Sequence, residues 1–189
     1  GTFKQGAGIV AGGPFHCADG RFAHALGRCM SRLTDIPLPS LVQTTRRWSQ
    51  DGLLDPLANL KSSRVYLFSG TADTVVRPGV MKDLYSYYKT FVPERQIVYR
   101  HDVAAEHAMI TDDAGSRCAT KGSPFINDCD LDLAGAILQQ LYGSLKPRNG
   151  GELDGSFIEF DQTEFVSGHG MGKTGWAYSL DRVTGEPLG

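Results

Sequence analysis

Apolar positions along the chain change their period several times, and each change marks an element. Residues 6–13, Gly-Ala-Gly-Ile-Val-Ala-Gly-Gly, are small or β-branched and suit a buried parallel strand that stops at Gly12-Gly13-Pro14. Residues 19–30 suit a short helix. After Pro37 and Pro39, residues 40–50 carry Leu41, Val42, Thr45 and Trp48 in a partly helical stripe. Arg64-Val65-Tyr66-Leu67-Phe68 is β-branched and aromatic and ends at Ser69-Gly70, as a strand should. Pro78 then stands where a first helical residue is tolerated, and Val80, Leu84, Tyr87, Tyr88 and Phe91 recur at helical spacing until Pro93. Gln96-Ile97-Val98-Tyr99 reads as the next strand. From Asp130 onward, Leu131, Ala134, Ile137, Leu138 and Leu141 predict an amphipathic helix ended by Gly143. Strand, helix, strand, loop, helix is the alternation of an α/β protein, a doubly wound and mostly parallel sheet with helices on both faces.

Residues 143–156 read as an internal loop or linker with a polar, glycine-rich stretch at 147–155. Beyond it Phe157, Ile158, Phe160, Phe165 and Val166 suggest short strands, and residues 168–175 an exposed loop. There is no internal repeat and no low-complexity tract. A chain of 189 residues is long enough for one sizeable core, so residues 1–189 are expected to form a single domain.

Composition changes this picture little: 41% hydrophobic and 21% charged residues are ordinary globular usage. Charge narrows the partners. With 19 Lys+Arg against 21 Asp+Glu the formal net charge is −2, which argues against nucleic acid, an anionic membrane surface or a polycation. No apolar run approaches the ~20 residues of a membrane span. The four cysteines fall into two local pairs, Cys17 with Cys29 and Cys118 with Cys129. Each pair would close a small loop, which suits disulfides in an exported protein; free buried thiols are the alternative. The closer Cys-x₂₋₄-Cys spacing of a zinc site is absent.

Two residues stand where an open α/β sheet keeps its working groups, at the carboxyl ends of strands. Asp73 follows strand 64–68 and His107 follows strand 96–99. Asp then His, on loops after successive strands, is the order of the acid and base in a Ser-His-Asp triad on this kind of sheet. In such a triad His takes the nucleophile's proton, while a carboxylate on its other ring nitrogen fixes the tautomer and stabilises the imidazolium. The plainer readings are a turn aspartate bonded to its own backbone and a solvated loop histidine. Phe15 and His16 follow the first strand and are expected near a nucleophile. Trp176, in Gly175-Trp176-Ala177-Tyr178, is expected to flank a substrate cleft, with a core or rim aromatic as the alternative. His24, His101 and His169 read as solvated. Asp112 and Asp113 read as a helix start rather than calcium ligands.

Several segments carry a resemblance. Gly6-Ala7-Gly8-Ile9-Val10-Ala11-Gly12-Gly13-Pro14-Phe15-His16-Cys17-Ala18 resembles the segment after the nucleophile helix of polyhydroxybutyrate depolymerases. Ser69-Gly70-Thr71-Ala72-Asp73-Thr74-Val75-Val76 resembles that family's triad-acid loop, and Glu106-His107-Ala108-Met109-Ile110-Thr111-Asp112-Asp113 its triad-histidine loop. Ser123-Pro124-Phe125-Ile126-Asn127-Asp128-Cys129-Asp130, Ala134-Gly135-Ala136 and Phe157-Ile158-Glu159-Phe160-Asp161-Gln162-Thr163-Glu164-Phe165 are similar to the family as well. The match runs in consistent order through most of residues 1–180. It implies a circularly permuted α/β-hydrolase fold and a serine esterase degrading poly(3-hydroxybutyrate) or related short-chain polyhydroxyalkanoates. Such an enzyme would be secreted, extracellular or periplasmic, with Asp73 and His107 as triad acid and base and no metal or organic cofactor.

One departure from the family pattern is decisive for the expectation. The nucleophile of such enzymes sits on a strained Gly-x-Ser-x-Gly-type turn, and no serine here has those flanking glycines. Ser31, Ser40, Ser49, Ser62, Ser63 and Ser69 all lack them. The resemblance implies a nucleophile upstream of Gly1 and an oxyanion segment downstream of residue 180. The chain is therefore expected to be a central, incomplete piece of a hydrolase domain whose partner is the missing part of the same enzyme, and to be inactive alone. Two other functions stay open: a feruloyl or acetyl-xylan-type esterase of the same architecture, and a hydrolase-fold binding protein that has lost catalysis.

Overall fold

The computed structural model of the chain describes residues 5–148, 156–166 and 172–179. Its residues fall into two compact units, Gly1–Lys146 and Pro147–Gly189.

The first unit is organised by one strand. β2 (Arg64–Phe68) lies between β1 (Gly6–Val10) and β3 (Ile97–Arg100), all three parallel, with Ala7 opposite Val65 and Val65 opposite Ile97. Alternate side chains of a strand face opposite sides, and here both sides are covered. Val65 and Leu67 pack against Val80, Met81, Leu84 and Tyr87 of α3 (Pro78–Tyr88) and Leu41 of α2 (Leu38–Gln50). Tyr66 and Phe68 pack against Leu133 and Ile137 of α4 (Leu133–Tyr142) and against Ala105, Ala108 and Ile110. A strand buried on both faces reads as a continuous apolar run rather than an alternation, which is why residues 64–68 are legible from sequence alone.

Glycine lets one of these layers close up. A Cβ on Gly8 would stand 2.3 Å from Cγ2 of Ile137, so α4 crosses β1 at a distance that a side chain there would forbid. Asp132 caps α4 by accepting the Gly135 N–H at 2.7 Å, and Gly143, at φ 88°, ends it.

Residues 19–30 contain the short helix α1 (Phe22–His24), which widens into π-helical turns over Ala25–Met30. Both disulfides form, Cys17–Cys29 tying the end of these turns to the segment after β1, and Cys118–Cys129 closing a loop beyond β3. Beyond β3 the chain also forms a second small sheet, β4 (Met109–Thr111), β5 (Ser116–Arg117) and β6 (Ile126–Asp128), with β6 in the middle and parallel to both neighbours. The expected helix start at Asp112-Asp113 is therefore corrected. The chain turns there instead, held by the Thr111 hydroxyl on the Ala114 carbonyl, and aspartates serve turns as readily as helix starts.

The second unit contains an antiparallel hairpin of β7 (Ser156–Asp161) and β8 (Thr174–Ser179), with Glu159 opposite Trp176. Phe165 and Val166 lie in a short helix, α5 (Thr163–Val166), not in a strand: Asp161 Oδ1 accepts the Thr163 N–H at 2.8 Å and turns the chain at the end of β7. The expected exposed loop at 168–175 overlaps β8 from Thr174 onward. Its residues 168–171, His169 among them, and residues 149–155 of the expected linker lie outside the described residues.

Candidate active site

The loop after β2 and the loop after β3 leave adjacent strands at the same end of the sheet, and main-chain hydrogen bonds tie them together. The Thr71 N–H donates to the Val103 carbonyl at 2.8 Å and the Ala72 N–H to the Ala105 carbonyl at 3.2 Å. Gly70 permits this approach, because a Cβ there would lie 2.1 Å from the Ala105 carbonyl oxygen.

The two candidate residues meet across this seam. His107 Nδ1 stands 3.0 Å from Asp73 Oδ2. The other carboxylate oxygen, Oδ1, accepts the N–H groups of Val75 and Val76, each at 2.8 Å. Asp73 is thus also the turn residue of the plainer reading; the backbone turn holds one oxygen while the other faces the imidazole. Burial divides the pair as a triad requires: Asp73 is 3% exposed, whereas the His107 side chain keeps 30% of its surface open. With the proton on Nδ1 the ring donates to Asp73, which leaves Nε2 with a lone pair for a nucleophile's proton.

His107 lines an open pocket of about 350 Å³ together with Val10, Ala11, Ala108, Met109 and Phe125. Two of these residues have backbone conformations unusual for side-chain-bearing residues: Ala11, directly after β1, at φ 51° and Phe125 at φ 58°. The Phe125 ring meets the His107 ring edge-on at 6.3 Å between centroids and forms an apolar wall beside it.

Phe15 is placed elsewhere. It packs edge-on against Trp48, which also meets His16 at 4.8 Å, and it lines a larger cavity of about 550 Å³ with Leu54, Leu60, Tyr87, Tyr88 and Phe91. Trp176 is carried by the second unit, on β8, with its ring exposed. His101 is exposed and stacks on Tyr99, while His24 is half-buried beside Arg28. Among the described residues no group of three or more His, Cys, Asp or Glu side chains is arranged to hold a metal ion, and no helix is long and apolar enough to cross a membrane.

Sequence reasoning did not single out Glu106 or Phe125. Glu106 directly precedes the histidine yet is buried, with its carboxylate turned toward the aspartate loop. Oε2 accepts the His107 N–H at 2.8 Å and the Thr74 N–H at 3.2 Å, and Oε1 accepts the Thr74 hydroxyl. Burial alone would raise its pKa. The hydrogen bonds from Thr74 and His107 and the positive charge of Lys121 outweigh that and hold the carboxyl below its ordinary value. A buried carboxylate with a shifted pKa beside a pocket is a signal of a site, but in the sequence Glu106 is one charged loop residue among many.

Comparison with known proteins shows what the whole chain resembles. The chain is 57% identical over 178 residues to a poly(3-hydroxybutyrate) depolymerase of Delftia acidovorans and 34% identical over 183 residues to a polyhydroxybutyrate depolymerase of Talaromyces funiculosus. Each match covers 94% of this chain, but 36% and 52% of the respective relative. The chain therefore spans about a third to a half of the length of these curated relatives. Its structure superposes on the crystal structure of a PHB depolymerase from Penicillium funiculosum with a TM-score of 0.84 at 32% identity, over 93% of this chain and 55% of that one. A PHB depolymerase serine-to-alanine variant complexed with an R3HB trimer gives the same score and coverage. No family model matches the chain. The fold is that of an α/β-hydrolase in part, and over more than nine-tenths of its length the chain is similar in sequence and in structure to polyhydroxybutyrate depolymerases.

Proposed function

We propose that this chain supplies the base and the orienting acid of a secreted serine-type carboxylester hydrolase acting on poly(3-hydroxybutyrate) or a related short-chain polyhydroxyalkanoate, with the nucleophilic serine contributed from outside the 189 residues. The observation that carries the reading is the His107–Asp73 pair, a 3.0 Å contact whose acid is buried and fixed by two backbone N–H groups. The polyester is supported by the names of the two relatives and by the R3HB trimer bound to the structural neighbour. Two disulfides favour an oxidising compartment outside the cytosol.

In this mechanism a serine Oγ attacks the ester carbonyl while His107 Nε2 takes its proton, and Asp73 stabilises the imidazolium that results. Backbone donors of an oxyanion hole hold the tetrahedral intermediate's charge. His107 returns the proton to the departing hydroxyl of the polyester, leaving an acyl-enzyme. Water, activated by the same imidazole, then releases the carboxylic acid and restores the serine. The chemistry calls for no cofactor. The pocket beside His107 is bounded by Val10 and Ala11 at the end of β1, and β1 pairs on one side only among the described residues. A strand bearing the nucleophile on that open side would bring its serine over Nε2.

The test is hydrolysis of poly(3-hydroxybutyrate) film and p-nitrophenyl butyrate by the 189-residue chain and by the protein translated from its full reading frame. Activity is expected in the longer protein, absent from the chain alone, and abolished by His107→Ala. Undiminished activity of His107→Ala would sink the reading. Cleavage of feruloyl or acetyl-xylan esters without cleavage of polyester would move the substrate to plant cell walls.

A further inference from the structure

Asp73 and His107 sit on separate loops, so the triad works only if those loops keep one spacing. The seam is sewn on the near side by the backbone bonds of Thr71 and Ala72, both before the aspartate. After the aspartate the Glu106 side chain spans the gap. It takes both polar hydrogens of Thr74, the residue after Asp73, and the N–H of His107 itself. The Lys121 ammonium, 3.2 Å from the Thr74 hydroxyl oxygen, closes the network from the outside.

We propose that Glu106 is a positioning residue that sets the distance between Asp73 and His107 by clamping the residue after the acid to the backbone of the base; this rests on the functional reading given above. Glu106 touches neither substrate nor reacting atoms. It acts through the aspartate, whose following residue it holds, and through the histidine, whose N–H it accepts.

Its chemistry suits the task. The carboxylate accepts three hydrogen bonds, two of them from N–H groups that point from different loops to the same oxygen. Ionised, the group is acceptor-only on both oxygens and has no hydrogen of its own to place among these donors. Glutamine has the same length, but with its carbonyl oxygen on the two N–H groups its NH₂ faces the Thr74 hydroxyl, which then accepts from it beside the Lys121 ammonium and loses the acceptor for its own hydrogen, while the negative charge is gone. Charge-assisted bonds are about twice as strong as neutral ones, and burial of the group makes an unmatched donor costly.

Two measurements test the proposal. On the 189-residue chain, amide hydrogen exchange of Glu106→Gln is compared with the parent sequence. The Thr74 and His107 amides are expected to exchange at least about tenfold faster, with amides of β2 and α3 unchanged. In the longer, nucleophile-bearing protein, kcat on p-nitrophenyl butyrate is expected to fall roughly 10- to 100-fold with KM held within about twofold, because the reacting groups are misplaced while substrate binding is not. Thr74→Val, which removes the hydroxyl donor alone, should shift both readouts in the same direction by less, and stands in if the glutamine variant does not fold. Equal exchange and equal kcat in both variants would overturn the proposal, and so would faster exchange spread evenly through β2 and α3, the mark of a scaffold residue. The controls separate the two readings. An inactive His107→Ala beside a fully active Glu106→Gln removes the role of Glu106 alone, whereas an active His107→Ala removes the functional reading and the role of Glu106 with it.

Discussion

Asp73 has two oxygens with separate tasks, and that division fixes what its amide would do. In Asp73→Asn the carbonyl oxygen is expected to keep the Val75 and Val76 N–H bonds, because these backbone groups can only donate whereas the imidazole can change its tautomer. The side-chain NH₂ must then face His107 Nδ1, which can answer only as an acceptor. The ring is forced into the tautomer that carries its proton on Nε2 and cannot act as base. In the nucleophile-bearing protein kcat should fall about 10⁴-fold with stability nearly unchanged, checked by esterase kinetics beside thermal unfolding; a loss below tenfold would contradict the assignment. Glu106 gives a second prediction, read in pH. Its folded-state pKa is depressed, so the unfolded chain binds the proton more readily. The stabilisation is complete above the unfolded value of about 4.3 and is lost as pH falls through the folded value. The gap in unfolding temperature between the parent sequence and Glu106→Gln should therefore close on acidification from about pH 6 to about pH 3. Asp73 and His107 were legible in the sequence because their positions after two recognisable strands carry the information. Glu106 and Phe125 were not, since what marks them is burial in one case and a positive φ in the other, and neither leaves a periodic trace.

Among the elements, the loop seam depends on a missing side chain. Gly70 has an ordinary φ, so its importance lies in space rather than in backbone freedom: the Ala105 carbonyl occupies the place of its Cβ. A backbone oxygen cannot rotate aside as a side chain can. Gly70→Val must part the loop after β2 from the loop after β3, break the Ala72–Ala105 bond and draw Asp73 from His107. We expect a stability loss of about 1–3 kcal/mol by denaturant titration and a drop in kcat of about 10²-fold, the cost of a displacement near 1 Å. A variant that keeps both stability and rate would show that the seam has slack. The same scale explains which elements the sequence disclosed. β2 and α3 carry dense apolar patterns because β2 is covered on both faces and α3 buries Val80, Met81, Leu84 and Tyr87. β4, β5 and β6 are two or three residues long, too short for an alternation to register. They are held by the Cys118–Cys129 bridge and by Asn127, buried and donating to the Cys118 and Thr120 carbonyls. The histidine loop rests on this same piece through the Glu106 N–H to the Cys118 carbonyl at 3.1 Å.

For the molecule as a whole the open question is what completes the sheet. The central sheet has β2 inside and β1 and β3 at its edges among the described residues. β1 is Gly-Ala-Gly-Ile-Val, with no charge and no proline to discourage pairing, and the pocket that holds His107 opens at its carboxyl end. An uncharged edge strand is a template for another chain. This chain covers 55% of the structural neighbour, which fits a strand from elsewhere in the protein taking that edge. The 189-residue chain by itself should then self-associate as its concentration rises, while the protein from the full reading frame stays monomeric. Light scattering and sedimentation over about 1 to 100 µM distinguish the outcomes, this being the range in which exposed edges drive aggregation. A lysine in place of Ala7, set on the bare edge strand, should reduce the association without restoring ester hydrolysis, because it discourages pairing but brings no serine to His107. A monomer at every concentration would mean that β1 is protected within this chain, and the nucleophile would then have to approach His107 from another side.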